Sequence, residues 1–395
     1  MPLAGWFRTL PPAVRIAIPG VVALVAIGAA GLALSTSHPP ASRSVAIGPT
    51  RSRSPSPSPG PTETASAPAS ATSCSAPSGG FPGSQLAAAY PVALAWSPNG
   101  RLFWAERGGV VKVFQGGAVQ TFATVSTSTS GERGLLGLAI SGAYVFAFYS
   151  STDGVTQDIV RWTDCGGVAK SQTIIASGLP AGGDCCHKGG RLAVSPDGAH
   201  LFMTIGDNQN APAAQAAGDP RGKVTRFNLD GGDRTTWTSG LRNPFGIAFA
   251  PDGSLAVTNN GPSTDAGTPC GGCGDEFYLV GASPGMDYQW PYCWGYSHPF
   301  NGSGDCHGLP GPQYSTEGGP FARSPAFFVA PTGVTWSTGA YANHFLFCAY
   351  STHHMYEYLG QGNVSDTGVG GCELDVKQGP DGALYTSEEG AIYRH

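Results

Sequence analysis

Charged side chains are scarce: Lys, Arg, Asp and Glu make up 12% of the 395 residues, and no long run of lysine or arginine occurs. With a formal net charge of −5 and no basic stripe, the chain lacks the electrostatic footprint of a nucleic-acid-binding protein. Zinc-finger spacing is missing too. Cys270-x-x-Cys273 could supply half of a zinc site, but no second C-x-x-C or H-x-x-x-H completes it. From Ile16 to Leu34 no side chain is ionisable, and from Ser35 to about Gly80 almost no large apolar residue occurs.

Those last two gaps define the first 80 residues. Nineteen residues of helix span roughly 28 Å, about the thickness of a hydrocarbon core. Arg8 and Arg15 precede the apolar run and none follows it closely, which orients the N-terminus inward and the remainder outward. The reading is therefore a short cytoplasmic N-terminus (1–15) and a membrane anchor (16–34). The competing reading is a secretory signal cleaved near Ala33 or Ser35. Either way the protein is expected to be extracytoplasmic, anchored to the cell membrane or secreted. Residues 35–80, rich in Pro, Ser, Thr and Ala, cannot bury enough surface to offset their ordering entropy and read as an extended stalk.

What the chain has in plenty is glycine (59), proline (33) and, for an exported protein, cysteine (10). An even cysteine count in that compartment is read first as disulfides. Cys293 with Cys306, Cys348 with Cys372, and the adjacent Cys185 and Cys186 are plausible pairs, although connectivity cannot be deduced from sequence. Gly- and Pro-rich composition with 41% hydrophobic residues suits many short strands joined by tight turns.

A signature recurs beyond Phe81: SPNGRLFWAE at 97–106, PDGAHLFMTIGD from Pro196, APDGSLAVTNNGP at 250–262 and GPDGALYTSEEG at 379–390. Each is a Pro-Asp/Asn-Gly turn leading into alternating apolar residues, the pattern of a hairpin. The spacing between copies leaves room for two more units, supplied by 134–151 and 333–358. Six units of roughly 50 residues predict an all-β, six-bladed β-propeller over 81–395, in which ring closure gives every blade two neighbours.

Propellers carry functional groups on loops around the central channel. Five Gly-rich segments hold polar residues in such positions: 131–139 with Glu132; Cys186 to Leu192 with His187, Lys188 and Arg191; Gly222 to Arg226; Gly240 to Phe249 with Arg242 and Asn243; and Asn260-Gly261-Pro262, followed by Asp275-Glu276 and Tyr288-Gln289-Trp290-Pro291. A loop histidine among glycines is ordinarily a structural or surface residue, and Arg242 and Asn243 could simply cap a turn before Pro244.

Taken in this order, the segments resemble the glucose/sorbosone dehydrogenase family, six-bladed propellers that use pyrroloquinoline quinone (PQQ) with calcium. The likeness covers about residues 90–395 and is strongest at HKGGRL, GLRNPFGIAF and NGP…DE…YQWP. The resemblance implies PQQ- and Ca2+-dependent oxidation of an aldose or related sugar at C1, with electrons passing to a quinone or cytochrome acceptor. It makes His187 the catalytic base and Arg242 the electrostatic stabiliser, with Arg242 and Asn243 touching cofactor and substrate. Gly261 and Pro262 match carbonyls that hold the cofactor's calcium. Glu276 and the Tyr288 carbonyl match a second calcium site, and Glu132 replaces a glutamine that touches PQQ.

The sequence departs from the family where basic residues of the fifth and sixth blades meet the cofactor's carboxylates. Here Cys348 to His354 and Gly371 to Val376 contain no Arg or Lys. Either His353, His354 or Lys188 substitutes, or the cofactor has been lost and the propeller binds a glycan or protein. A further departure, Cys186 in place of an aspartate, could be balanced by Asp184. A propeller hydrolase using carboxylates such as Glu132, Asp184, Asp207 and Asp265 is the third reading.

Overall fold

The computed structural model describes Cys74, Gly80, Phe81 and residues 83–183, 185–262, 274–296, 298–299, 305–316, 330–360 and 362–395. The anchor or signal predicted at 16–34 and most of the stalk predicted at 35–80 lie outside the described residues. Among those described, no helix is long and apolar enough to cross a membrane.

Strands dominate, and they form six blades. A short strand, β1 (Gln85–Ala87), precedes blade 1, which holds β2 (Pro91–Trp96), β3 (Leu102–Glu106), β4 (Val110–Gln115) and β5 (Ala118–Thr124). Blade 2 is β6 (Leu135–Ser141), β7 (Tyr144–Ser150), β8 (Thr156–Cys165) and β9 (Val168–Pro180). Blade 3 is β10 (Leu192–Val194), β11 (His200–Ile205), β12 (Lys223–Asn228) and β13 (Thr235–Ser239). Blade 4 begins with β14 (Pro244–Phe249), β15 (Leu255–Asn259) and β16 (Glu276–Val280). The chain then leaves the blade: β17 (Met286–Asp287) pairs in parallel with β13, and β18 (Cys293–Trp294) forms a hairpin with β19 (His298–Pro299). It returns as β20 (Tyr314–Ser315), which completes blade 4 against β16. Blade 5 is β21 (Pro331–Ser337), β22 (His344–Ala349), β23 (Met355–Gly360) and β24 (Asn363–Asp366). Blade 6 is β25 (Asp375–Gln378), β26 (Leu384–Glu388) and β27 (Ala391–Arg394), and β1 closes the ring by pairing with β27.

All four recurring turn motifs join the first and second strands of a blade, those of blades 1, 3, 4 and 6. In each, the glycine (Gly100, Gly198, Gly253, Gly382) has a φ of 73 to 90° and donates its N–H to the carbonyl three residues earlier. A side chain at that left-handed position would be strained, which explains the repeated glycine.

The apolar core is divided among the gaps between blades. Alternation along each strand sends one face to each neighbour. In β3, Phe103 and Ala105 pack with blade 2, whereas Leu102 and Trp104 pack with blade 6. Truncating one such buried aromatic to alanine would cost about 3–5 kcal/mol. Disulfides join Cys293 to Cys306, Cys348 to Cys372, and Cys185 to Cys186, as the sequence suggested, and Cys74 to Cys165 at the end of β8. Cys270 and Cys273 lie outside the described residues.

Candidate functional site

Antiparallel neighbours place two kinds of loop at one end of the ring: those entering each first strand and those joining each second strand to the third. Glu132 enters blade 2, His187 blade 3, Arg242 and Asn243 blade 4, and Glu373 blade 6. Asp207 follows β11, Asn260 to Pro262 follow β15, and Trp290 follows β17. The predicted site residues therefore share one mouth of the channel.

The glycines of HKGGRL make the approach to that mouth possible. A Cβ on Gly189 would lie 2.9 Å from the Gly206 nitrogen and 3.0 Å from the Pro244 carbonyl, and one on Gly190 would lie 2.8 Å from the Phe148 ring. Blades 2, 3 and 4 thus meet through bare backbone directly beside His187.

His187 is buried (8% exposed) and adopts a φ of 59°. Its Nδ1 lies 2.6 Å from Asp207 Oδ1. The same carboxylate accepts the Trp290 indole N–H at 2.8 Å on Oδ2 and the Gln209 amide at 2.8 Å on Oδ1. The Asp207 amide donates to the Arg242 carbonyl at 2.7 Å. Because an ionised carboxylate only accepts, this network assigns the hydrogen to Nδ1 and leaves Nε2 as the acceptor. Asp207 and Trp290, 20 residues after and 103 residues after His187 in sequence, were not singled out as its partners by sequence reasoning. Asp207 stood out only as a loop carboxylate and Trp290 only as part of the YQWP segment.

Arg242 Nη1 donates to the Asn260 carbonyl at 3.0 Å, and its guanidinium carbon lies 5.9 Å from the Trp290 ring centroid. The Asn243 backbone amide donates to Asn259 Oδ1 at 2.9 Å, and its Nδ2 donates to Asn260 Oδ1 at 3.1 Å. Its own Oδ1 is buried with no hydrogen-bond partner. The Gly261 amide donates to Asp275 Oδ1 at 2.9 Å, fixing the Gly261-Pro262 turn.

Glu132 is half-buried; its Oε2 accepts the Lys188 amide at 3.3 Å, and its own amide donates to the Cys185 carbonyl at 2.8 Å. The bonded Cys185 and Cys186 therefore sit between Glu132 and His187. Asp184 and Asp265 lie outside the described residues. Glu276 is buried in blade 4 and accepts Asn259 Nδ2 at 2.7 Å, the Tyr278 hydroxyl at 2.8 Å and the Gly295 amide at 2.9 Å. Burial pushes the Tyr288 phenol up to about 12, with the Glu276 charge adding to it. Among the described residues no group of three or more His, Cys, Asp and Glu side chains gathers as a metal site, so calcium at Gly261-Pro262 or Tyr288 would draw on backbone carbonyls.

The rim of blades 5, 6 and 1 is different in kind. His353 Nδ1 lies 3.9 Å from Glu373 Oε2 and 3.8 Å from Glu388 Oε2, with its side chain 48% exposed. Burial holds the Glu373 carboxyl above the usual range, with Glu389 and Glu388 adding to that effect against the His353 charge. The Tyr90 phenol is pushed far up by burial first and then by Tyr350 and Glu389. Arg107 stacks over Tyr90 at 5.2 Å and donates to the carbonyls of Arg133, Thr129 and Gly131. The three suggested substitutes for the family's basic residues are all engaged: Lys188 donates Nζ to the Ala181 carbonyl, His353 faces two glutamates, and His354 Nδ1 lies 2.9 Å from Asp366. Sequence reasoning placed Gly371 to Val376, which holds Glu373, among the cofactor-facing stretches for its lack of Arg and Lys, but did not single out Glu388 or Glu389.

Comparison with known proteins agrees with this architecture. A quinoprotein glucose dehydrogenase B of Acinetobacter calcoaceticus is 29% identical over 257 residues, covering 52% of this chain and 51% of the relative. An aldose sugar dehydrogenase of Escherichia coli is 26% identical over 245 residues, covering 53% of this chain and 61% of the relative. The chain thus spans about half to three fifths of the length of these curated relatives. Among solved structures, an oxidoreductase of Thermus thermophilus described as a glucose dehydrogenase superposes with a TM-score of 0.63 at 25% identity, over 78% of this chain and 99% of that one. A PQQ-bound aldose sugar dehydrogenase of Streptomyces coelicolor shares the fold with a TM-score of 0.60 at 22% identity, over 78% and 94% of the two chains. The glucose/sorbosone dehydrogenase family model matches residues 88–394, every strand of the propeller except β1, and the chain belongs to that family.

Proposed function

We propose that the protein is an extracytoplasmic quinoprotein that oxidises an aldose or related sugar at C1 with PQQ and Ca2+. It would be held at the membrane by residues 16–34 or secreted after their cleavage, and would pass its electrons to a quinone or cytochrome. The observation that carries this reading is the His187–Asp207–Trp290 chain, which fixes a buried imidazole with one nitrogen left to accept a proton.

The residues on blades 3 and 4 fit the cofactor. The unpartnered Asn243 Oδ1 and the Arg242 guanidinium are a buried acceptor and a fixed cation at the mouth, and the Gly261 and Pro262 carbonyls are oxygen ligands of the kind calcium takes. Bound PQQ would supply the two-electron acceptor. His187 Nε2 would take the proton of the C1 hydroxyl, and Asp207 would stabilise the resulting imidazolium while holding the ring in place. Arg242 would stabilise negative charge developing opposite His187 without reorganising, because Asn260 and Trp290 already fix it.

The full chain, reconstituted with PQQ and CaCl2 and assayed for dye reduction against a panel of aldoses, should turn over at least one sugar. Absence of PQQ binding by calorimetry at micromolar concentrations would reject the proposal. One observation favours a second reading, a propeller that binds a glycan or protein without cofactor. The family resemblance sets basic residues for the cofactor's carboxylates on blades 5 and 6, and there Glu373 and Glu388 instead face His353. Glycan or protein binding without PQQ binding would select it.

A further inference from the structure

Below the mouth, the six innermost strands surround a small cavity on the channel axis, with room for about one occupant of water or halide size. Its walls are apolar side chains and glycine backbone, apart from three ionisable residues: Arg191, Asp375 and Lys377. Arg191 leaves the His187 loop at the start of blade 3 and crosses the channel. Its Nη2 donates to the Leu374 carbonyl at 2.7 Å and its Nη1 to the Val92 carbonyl, while the guanidinium lies over the Phe245 ring at 4.8 Å. Asp375 Oδ2 accepts the Leu94 amide at 2.8 Å and lies 3.9 Å from Arg191. Lys377 Nζ donates to the Val334 carbonyl at 2.8 Å and lies 3.5 Å from Asp375 Oδ1.

Two cations thus face one carboxylate. Arg191 Nε is buried with no partner, and Asp375 Oδ1 accepts no hydrogen bond. Burial lowers the pKa of both Arg191 and Lys377, with Asp375 working in the opposite direction for each. A buried cation without a counter-charge is strongly disfavoured, and a water molecule brings no charge to offset it. The Lys377 side chain stays 24% accessible and lines the cavity, which gives a small ion a way in.

We infer that the cavity is a binding site for one small monovalent anion, held between Arg191 and Lys377 and balanced against Asp375. The ion would offset the one excess positive charge among the cavity's lining residues and tie the start of blade 3, and with it the His187 loop, to blades 1, 5 and 6. This holds whether or not the mouth binds a quinone.

Bromide serves as the probe. In the full chain at constant ionic strength, replacing methanesulfonate by bromide should raise Tm by about 2–4 °C and saturate. Crystals grown in bromide should show an anomalous peak between Arg191 and Lys377. Lys377→Met, which removes the excess charge, should lose the bromide dependence of Tm. A wild-type Tm that does not respond to bromide, or the same response in Lys377→Met, would overturn the site. If Lys377→Met does not fold, the anomalous map of the wild type decides, and an empty channel there overturns it.

Discussion

The side of the mouth formed by blades 2, 3 and 4 consists of side chains fixed to one another, while the side formed by blades 5, 6 and 1 consists of carboxylates, phenols and a half-exposed histidine. On the first side His187, Asp207, Trp290 and Arg242 are connected by short contacts and buried. On the second, Glu373 and Glu388 face His353 at almost 4 Å. The first arrangement suits the proposed proton transfer, and the second would disfavour an anion. One mouth can therefore pair a rigid, hydrogen-bonded half with a half of crowded, partly exposed carboxylates.

Replacing His187 by alanine tests the contrast most severely. The dye-linked rate should fall about 10²- to 10⁴-fold with PQQ affinity in calorimetry retained; undiminished turnover would mean that the ordered half is not the working half. Arg242→Met should lower kcat about 10²-fold. Asp207→Asn, which keeps the size but removes the charge that orients the imidazole, should lower kcat by about 10- to 100-fold and displace the acidic limb of the pH–rate profile, a shift that a purely structural residue would not cause. On the other half, Glu373→Gln should tighten PQQ binding by roughly 3- to 10-fold, since one repulsive charge is removed; weaker binding would show that the carboxylate is a ligand.

The smallest expected effect is on stability. Glu373 has a raised folded pKa, so the folded state holds its proton more tightly than the unfolded chain does. Its contribution is full below the unfolded carboxyl value near 4.3 and is lost as pH rises through the raised folded value. Urea unfolding across that interval should show stability falling with pH in the wild type and flattening in Glu373→Gln.

The blade frame was legible because a tight turn needs particular residues. The Pro-Asp/Asn-Gly signature marks the first hairpin of blades 1, 3, 4 and 6. Blade 2 turns through Gly142 and Ala143, and blade 5 through the longer Thr338–Asn343 segment, so only their apolar strands announced them. The excursion from β16 through β17 to β20 was not legible, because its two-residue strands carry no periodicity. The candidate site was legible at His187 and Arg242 as residues of distinctive glycine-rich loops. Asp207 and Trp290 join them only through three-dimensional closure, Trp290 reaching Asp207 across 83 residues. Glu388, the last residue of β26, was hidden for the same reason: it joins Glu373, on the loop before β25, only where both face His353.

The bond from Cys74 to Cys165 has a mechanical consequence. The ring is closed by a strand of three residues, β1 on β27, which would peel under modest tension. A pull arriving along the chain from ahead of residue 74 reaches blade 2 through a covalent link before it can load that strand. The cystine therefore relieves the ring's seam of strain from whatever lies upstream, and reducing it would transfer the whole force to three residue pairs.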